Sequence, residues 1–145
     1  MRSREPAKLK VILDTSVLVA ALLSKNGGSA RIVNLALTGR IHAFHTDETF
    51  TELRAVLQRP KFGLGKETQE HYIHLLAEAS FLVKPLAEFT TVRCRDPKDD
   101  KFLALAEQVE ADYLISLDAD LLDLKTAGDT RIVEPGVFLE VLKRR

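Results

Sequence analysis

Leu9-Lys10-Val11-Ile12-Leu13-Asp14-Thr15-Ser16-Val17 passes from a short apolar run, through three small polar residues, into a second apolar segment that extends to Leu23. The first run reads as a strand buried on both faces, because its apolar residues are consecutive and β-branched. Asp14-Thr15-Ser16 closes it, and Val17 to Leu23 opens a helix. Such a passage puts Asp14 at the carboxyl end of a strand, the edge of an open α/β sheet where ligands bind.

The same alternation continues downstream. Gly27-Gly28-Ser29 breaks the chain, and Ala30, Val33 and Leu37 then space out as an amphipathic helix ending at Gly39. Ile41 to His45 reads as a second strand. Thr46 or Asp47 caps a helix whose apolar positions are Phe50, Leu53, Val56 and Leu57, and Pro60 stops it. Lys61 to Lys66 forms a loop with two glycines, and Thr68 to Ala79 a further helix. Phe81–Val83 and Thr90–Val92 are short strand-like runs. A helix from Pro97 to about Glu110 precedes Tyr113-Leu114-Ile115-Ser116-Leu117, a clear strand running into Asp118. Leu121–Leu124, Arg131–Val133 and Pro135–Leu142 read as short helix, last strand and terminal helix. Alternating strands and helices predict a three-layer α/β/α fold around a mainly parallel sheet. One domain is expected across residues 1–145, with its core at about 8–142.

Charge and cysteine content narrow the classes of function. Lys plus Arg and Asp plus Glu are 21 each, so net charge offers no global attraction for nucleic acid, and any such role must rest on local charge. The single cysteine, Cys94, excludes an internal disulfide and suits a reducing cytoplasm. No apolar run approaches the roughly 18 residues of a membrane span. The first residues lack the apolar core of a signal peptide, so a cytoplasmic protein with no membrane partner is expected.

The densest chemistry lies in Arg95-Asp96-Pro97-Lys98-Asp99-Asp100-Lys101. Asp96 suits an N-cap, Pro97 the first helical position, and Asp99 the positive end of the helix dipole. Capping leaves Asp100 unexplained. Asp14 and Asp118 end different strands, so with Asp100 they can converge on one sheet edge. Glu52 lies in mid-helix between Phe50 and Leu53. Carboxylates gathered in one pocket repel unless a cation neutralises them. An all-oxygen set points to Mg2+ or Mn2+ and away from zinc. His42 with His45, read as facing one side of a strand, and His71 with His74 on a helix are assigned structural or surface roles.

Four segments in order, Val11-Ile12-Leu13-Asp14-Thr15-Ser16-Val17, Glu52-Leu53, Asp96 to Ala106, and Ser116-Leu117-Asp118-Ala119-Asp120-Leu121-Leu122, resemble the PIN domain family over roughly residues 8–142. The resemblance implies a metal-dependent ribonuclease, often the toxin of a toxin–antitoxin pair. It places the acidic set on Asp14, Glu52, Asp100 and Asp118. Asp14 and Asp100 would be direct ligands of Mg2+ or Mn2+; Glu52 and Asp118 would ligate or position water. Ser16 matches a small polar residue of the family, and Thr15 and Ser16 would hold carboxylate or phosphate oxygens. Asp96 and Asp120 match additional acids, while Asp99 is assigned mainly to capping. An RNA substrate, a cognate antitoxin and a homodimer or higher oligomer are further implications.

Acids repel RNA, so cations must deliver it. Arg54, Arg59, Lys61 and Lys66 flank the glycine loop, and Arg93 and Arg95 precede the acidic turn. Competing readings fit less well. An aspartate-nucleophile phosphatase wants an acid two residues after Asp14, where Ser16 stands. A receiver domain wants acids ahead of Asp14. A non-catalytic PIN-like binding module remains the main alternative.

Overall fold

Strand β1 (Lys10–Leu13) runs without a loop into helix α1 (Thr15–Leu23), and Asp14 makes the junction. Its backbone is extended, and its carboxylate accepts the Val17 N–H at 3.1 Å as an N-cap. The helix therefore begins two residues ahead of the start suggested by hydropathy, because the cap sets the first turn. The computed structural model describes residues 7–89 and 97–145. Next come α2 (Gly28–Leu37), β2 (His42–His45), α3 (Asp47–Leu57), a 3-10 turn at Pro60–Phe62, α4 (Lys66–Ala79) and β3 (Phe81–Leu82). Further 3-10 turns occupy Ala87–Phe89 and Pro97–Asp99. They are followed by α5 (Asp100–Gln108), β4 (Tyr113–Ile115), α6 (Ala119–Leu122), β5 (Thr126–Ala127), β6 (Thr130–Val133) and α7 (Pro135–Lys143). The strand expected at Thr90–Val92 lies outside the described residues.

Among the described residues the strands form a six-stranded sheet in the order β3-β2-β1-β4-β6-β5. Every neighbouring pair is parallel except β5–β6. Sequence patterning passes over β5, since two residues carry no period. A turn with Gly128 at φ 59° folds it back antiparallel onto β6, and glycine adopts that left-handed conformation without steric cost.

Alternation along the central strands builds the layers. Val11 and Leu13 of β1 enter one core with Ile115 and Val133, packed by α1, α2, α3, α4 and α7. Ile12, Leu114 and Ile132 point the other way, onto Phe102, Leu103, Leu105 and Ala106 of α5 and Leu121 of α6. A sheet covered on both faces by helices is the three-layer arrangement expected of consecutive apolar strands. None of the described helices is long and apolar enough to cross a membrane.

The N-termini of α3 and α5 set the direction of two site-bearing helices. Thr46, not Asp47, caps α3: the Thr46 hydroxyl accepts the Thr49 N–H at 3.1 Å, and the Thr46 N–H donates to the Thr49 hydroxyl at 3.0 Å. Helix α5 starts differently. The 3-10 turn Pro97–Asp99 leads into it, and Asp99 at its cap position has helical φ/ψ with no side-chain capping bond.

Candidate active site

Parallel pairing of β1 with β4 in the register Leu13↔Ile115 brings both carboxyl ends to one edge. Asp14 leaves that edge from β1, and Ser116, Leu117 and Asp118 leave it from β4. Asp14 is 3% exposed and Ser116 fully buried. The Ser116 hydroxyl donates to Asp14 Oδ2 and the Ser16 hydroxyl to Asp14 Oδ1, both at 2.5 Å. Each serine oxygen also accepts a backbone N–H, Ser116 from Asp118 at 2.8 Å and Ser16 from Leu117 at 3.1 Å. A hydroxyl has one proton, so these accepted bonds leave that proton for Asp14. Burial pushes the Asp14 pKa up; Ser116, Ser16 and the Val17 N–H oppose that rise, and the charge of Asp118 adds to it.

Asp14, Glu52, Asp99 and Asp118 line one cleft of about 420 Å3. Its remaining walls are largely apolar, from Val19, Ala20 and Leu23 of α1, Val56 of α3, Phe62 and Phe102, with Arg59 also lining it. Asp99, Asp118 and Asp120 each offer a carboxylate oxygen within 4.8 Å of the other two. Asp118 additionally caps α6, accepting the Asp120 N–H at 2.9 Å. On the opposite side, Glu52 Oε2 accepts the Thr15 hydroxyl, and Glu52 Oε1 lies 2.6 Å from Lys101 Nζ. A close trio of carboxylates with no sulfur or imidazole among them fits a hard divalent cation.

A family model for the PIN domain matches residues 10–120, a stretch that includes every acid of this cleft. The chain belongs to the PIN domain family. An uncharacterized protein of Methanocaldococcus jannaschii is 27% identical to this PIN domain over 128 residues, covering 86% of this chain and 81% of its own. Among solved structures, VapBC2 from Rickettsia felis, bound to a DNA fragment from its promoter, superposes with a TM-score of 0.64. It is 13% identical and covers 87% of this chain and 98% of that one. VapC20 of Mycobacterium tuberculosis, a toxin that cleaves the sarcin–ricin loop, gives 0.58 at 14% identity, covering 83% and 98%. PAE2754 from Pyrobaculum aerophilum gives 0.59 at 16% identity, covering 94% and 91%. At these identities the likeness shows the fold.

The structure gathers Asp14, Thr15, Ser16, Glu52, Arg59 and Asp118 on one cleft, with Asp99 beside them. Asp99 lines the cleft and Asp100 does not. Neighbouring positions on a helical path point about 100° apart, and Asp100 opens α5 at a half-buried position. Asp99 is not itself an N-cap, though as a first-turn acid it still meets the positive end of the helix dipole. A capping carboxylate needs an extended backbone to fold over the first turn, and Asp99 has φ −86° and ψ −13°. Asp96, Arg93 and Arg95 lie outside the described residues.

Among the remaining cations only Arg59 reaches the cleft. Arg54 turns to Glu70 of α4 at 3.9 Å, and the Lys61 ammonium lies 5.1 Å from the Phe62 ring centre. Lys66 opens α4 at an exposed position. The histidine pairs divide. Positions three apart on a strand face opposite sides, so His42 meets Phe81 while His45 stacks on Phe50 at 4.6 Å. His74 pairs with Glu78 on its own helix. Sequence reasoning missed Ser116 and Lys101. The position of Ser116, two residues before a strand-end aspartate, was the available signal for the first; Lys101 had none beyond its closeness to Asp99.

Proposed function

We propose that this PIN domain is a metal-dependent endoribonuclease, the toxin of a toxin–antitoxin pair. The observation that carries this reading is the convergence of Asp14, Glu52, Asp99 and Asp118 on one cleft. Asp99, Asp118 and Asp120 would hold Mg2+ or Mn2+, with Asp14 beside them. When bound, such an ion supplies a water acidic enough to attack phosphorus, and positive charge for the phosphate oxygens.

The chain's own groups do the positioning. Asp14 accepts the Ser16 hydroxyl and the Val17 N–H on Oδ1 and the Ser116 hydroxyl on Oδ2, bonds that favour its anionic form against burial and leave the free lone pair on Oδ2. Glu52 is oriented from two sides by Thr15 and Lys101 and would align the attacking water. Arg59 would meet the RNA backbone, and the apolar wall from Leu23 to Phe62 would exclude bulk water from the reacting phosphate. The phosphatase reading weakens further, because Ser16 gives its only proton to Asp14 and has none for a leaving group. An antitoxin partner is supported by the VapBC2 structure and by FitAB bound to a DNA fragment, which this chain resembles with a TM-score of 0.58.

Purified protein incubated with single-stranded RNA and Mn2+ tests the reading. Cleavage that disappears with EDTA and in Asp99→Asn is expected. Undiminished cleavage in EDTA would reject the metal mechanism, and a folded protein that neither cleaves RNA nor binds a divalent ion would be a PIN-like binding module.

A further inference from the structure

Lys101 is a cation set deliberately close to the acids. Its side chain is 12% exposed, and lysine is rarely so enclosed unless paired. The ammonium donates to Glu52 Oε1 at 2.6 Å and to the Lys98 carbonyl, and it lies 5.0 Å from the centre of the Phe102 ring. Two acceptors and a ring face account for the environment of its three donors.

The approach is from behind. Lys101 lines a neighbouring cavity of about 150 Å3 together with Thr46, Glu48 and Ala104, whereas Glu52 lines the acidic cleft. The Glu52–Lys101 pair thus links the two spaces, with the Glu52 carboxylate held by lysine on one oxygen and by Thr15 on the other. The acids divide accordingly. Asp99, Asp118 and Asp120 form the close trio, and Glu52 stands outside it. A divalent ion seated on Glu52 would share each oxygen with an existing hydrogen bond and sit beside the Lys101 ammonium, which like-charge repulsion opposes.

We propose that Lys101 is a positioning residue that acts as the permanent cation of the Glu52 side and limits the cleft to one divalent ion. The proposal rests on the metal-dependent reading given above and adds the number of ions and what sets it.

Counting bound Mn2+ on the full chain by titration calorimetry and electron paramagnetic resonance tests it without reference to activity. Wild type and Lys101→Arg should each bind one equivalent. Lys101→Met should bind two, and adding Glu52→Gln to Lys101→Met should return the count to one. Circular dichroism in EDTA establishes that each variant is folded. Lys101→Gln, which can still donate to Glu52 while lacking charge, carries the same expectation of two equivalents if the Met variant fails to fold. Two equivalents in wild type, or one in a folded neutral variant, would overturn the role of Lys101 while leaving the nuclease reading intact. No bound ion in wild type would remove both.

Discussion

Ser116 Oγ lies 2.5 Å from Asp14 Oδ2, although 102 positions separate the two residues in the chain. The bond joins the ends of two parallel strands and supports a carboxylate that burial disfavours. Ser116→Ala removes that donor and leaves the Asp118 N–H without its acceptor. A loss of about 1–3 kcal/mol in stability is expected. The missing bond favours the anion, so the loss should be greatest at neutral pH and shrink as acid protonates Asp14. Urea melts of both proteins at several pH values measure this; a loss that grows toward acid would contradict the arrangement.

Asp99 and Asp100 provide the sharpest comparison in the cleft. Asp99→Asn should lower RNA cleavage by several powers of ten, since each tenfold corresponds to about 1.4 kcal/mol of lost transition-state stabilisation. Asp100→Asn should stay within about tenfold of wild type, because Asp99 and not Asp100 lines the cleft. The opposite ranking in a single-turnover assay would restore Asp100 as the ligand.

Metal should stabilise the fold through the same trio. At ten times its dissociation constant, Mg2+ is expected to add about 1.4 kcal/mol by mass action, a rise in Tm of roughly 3–6 °C for a chain of this size. Asp118→Asn should lose most of that rise. Equal shifts in wild type and variant would place the ion elsewhere.

His45 is expected to give the fold a separate acid sensitivity. It is 1% exposed and stacked on Phe50, and burial lowers its pKa from 6.5 to about 4. Between those values the unfolded chain takes up a proton that the folded chain refuses. Stability from this residue is therefore complete above pH 6.5 and lost as pH falls toward 4, on the order of 3 kcal/mol in all. The difference in unfolding free energy between wild type and His45→Leu, measured from pH 7 to pH 4.5, should show it. A constant difference would mean that the ring is charged or hydrated in the folded state.

Arg59 and Arg54 separate delivery of RNA from simple surface charge. With Asp99→Asn as the background to prevent cleavage, Arg59→Ala should weaken RNA binding and reduce the salt slope by about one. Arg54→Ala should do neither, since Arg54 faces Glu70. Affinities measured across roughly 50–200 mM salt decide the matter; identical slopes for all three proteins would move the substrate path away from Arg59.

The sequence alone determined the layered α/β architecture, because consecutive apolar residues in β1 and β4 can be buried only by cover on both faces. It also placed Asp14 and Asp118 at strand ends, where a polar residue stops each apolar run. Those are local properties, set by hydrophobic pattern and capping chemistry along a few residues. Tertiary structure decided what local pattern leaves open. Asp99 and Asp100 are both acids in the first turns of one helix, and only the 3-10 turn at Pro97–Asp99, continuous with α5 where that helix packs on β1 and β4, sets how each carboxylate stands toward the cleft. The Ser116 and Lys101 contacts likewise depend on strand register and on the packing of α3 against α5. Neither contact has a sequence period, since each joins side chains from elements that meet only when the sheet and its covering helices have assembled.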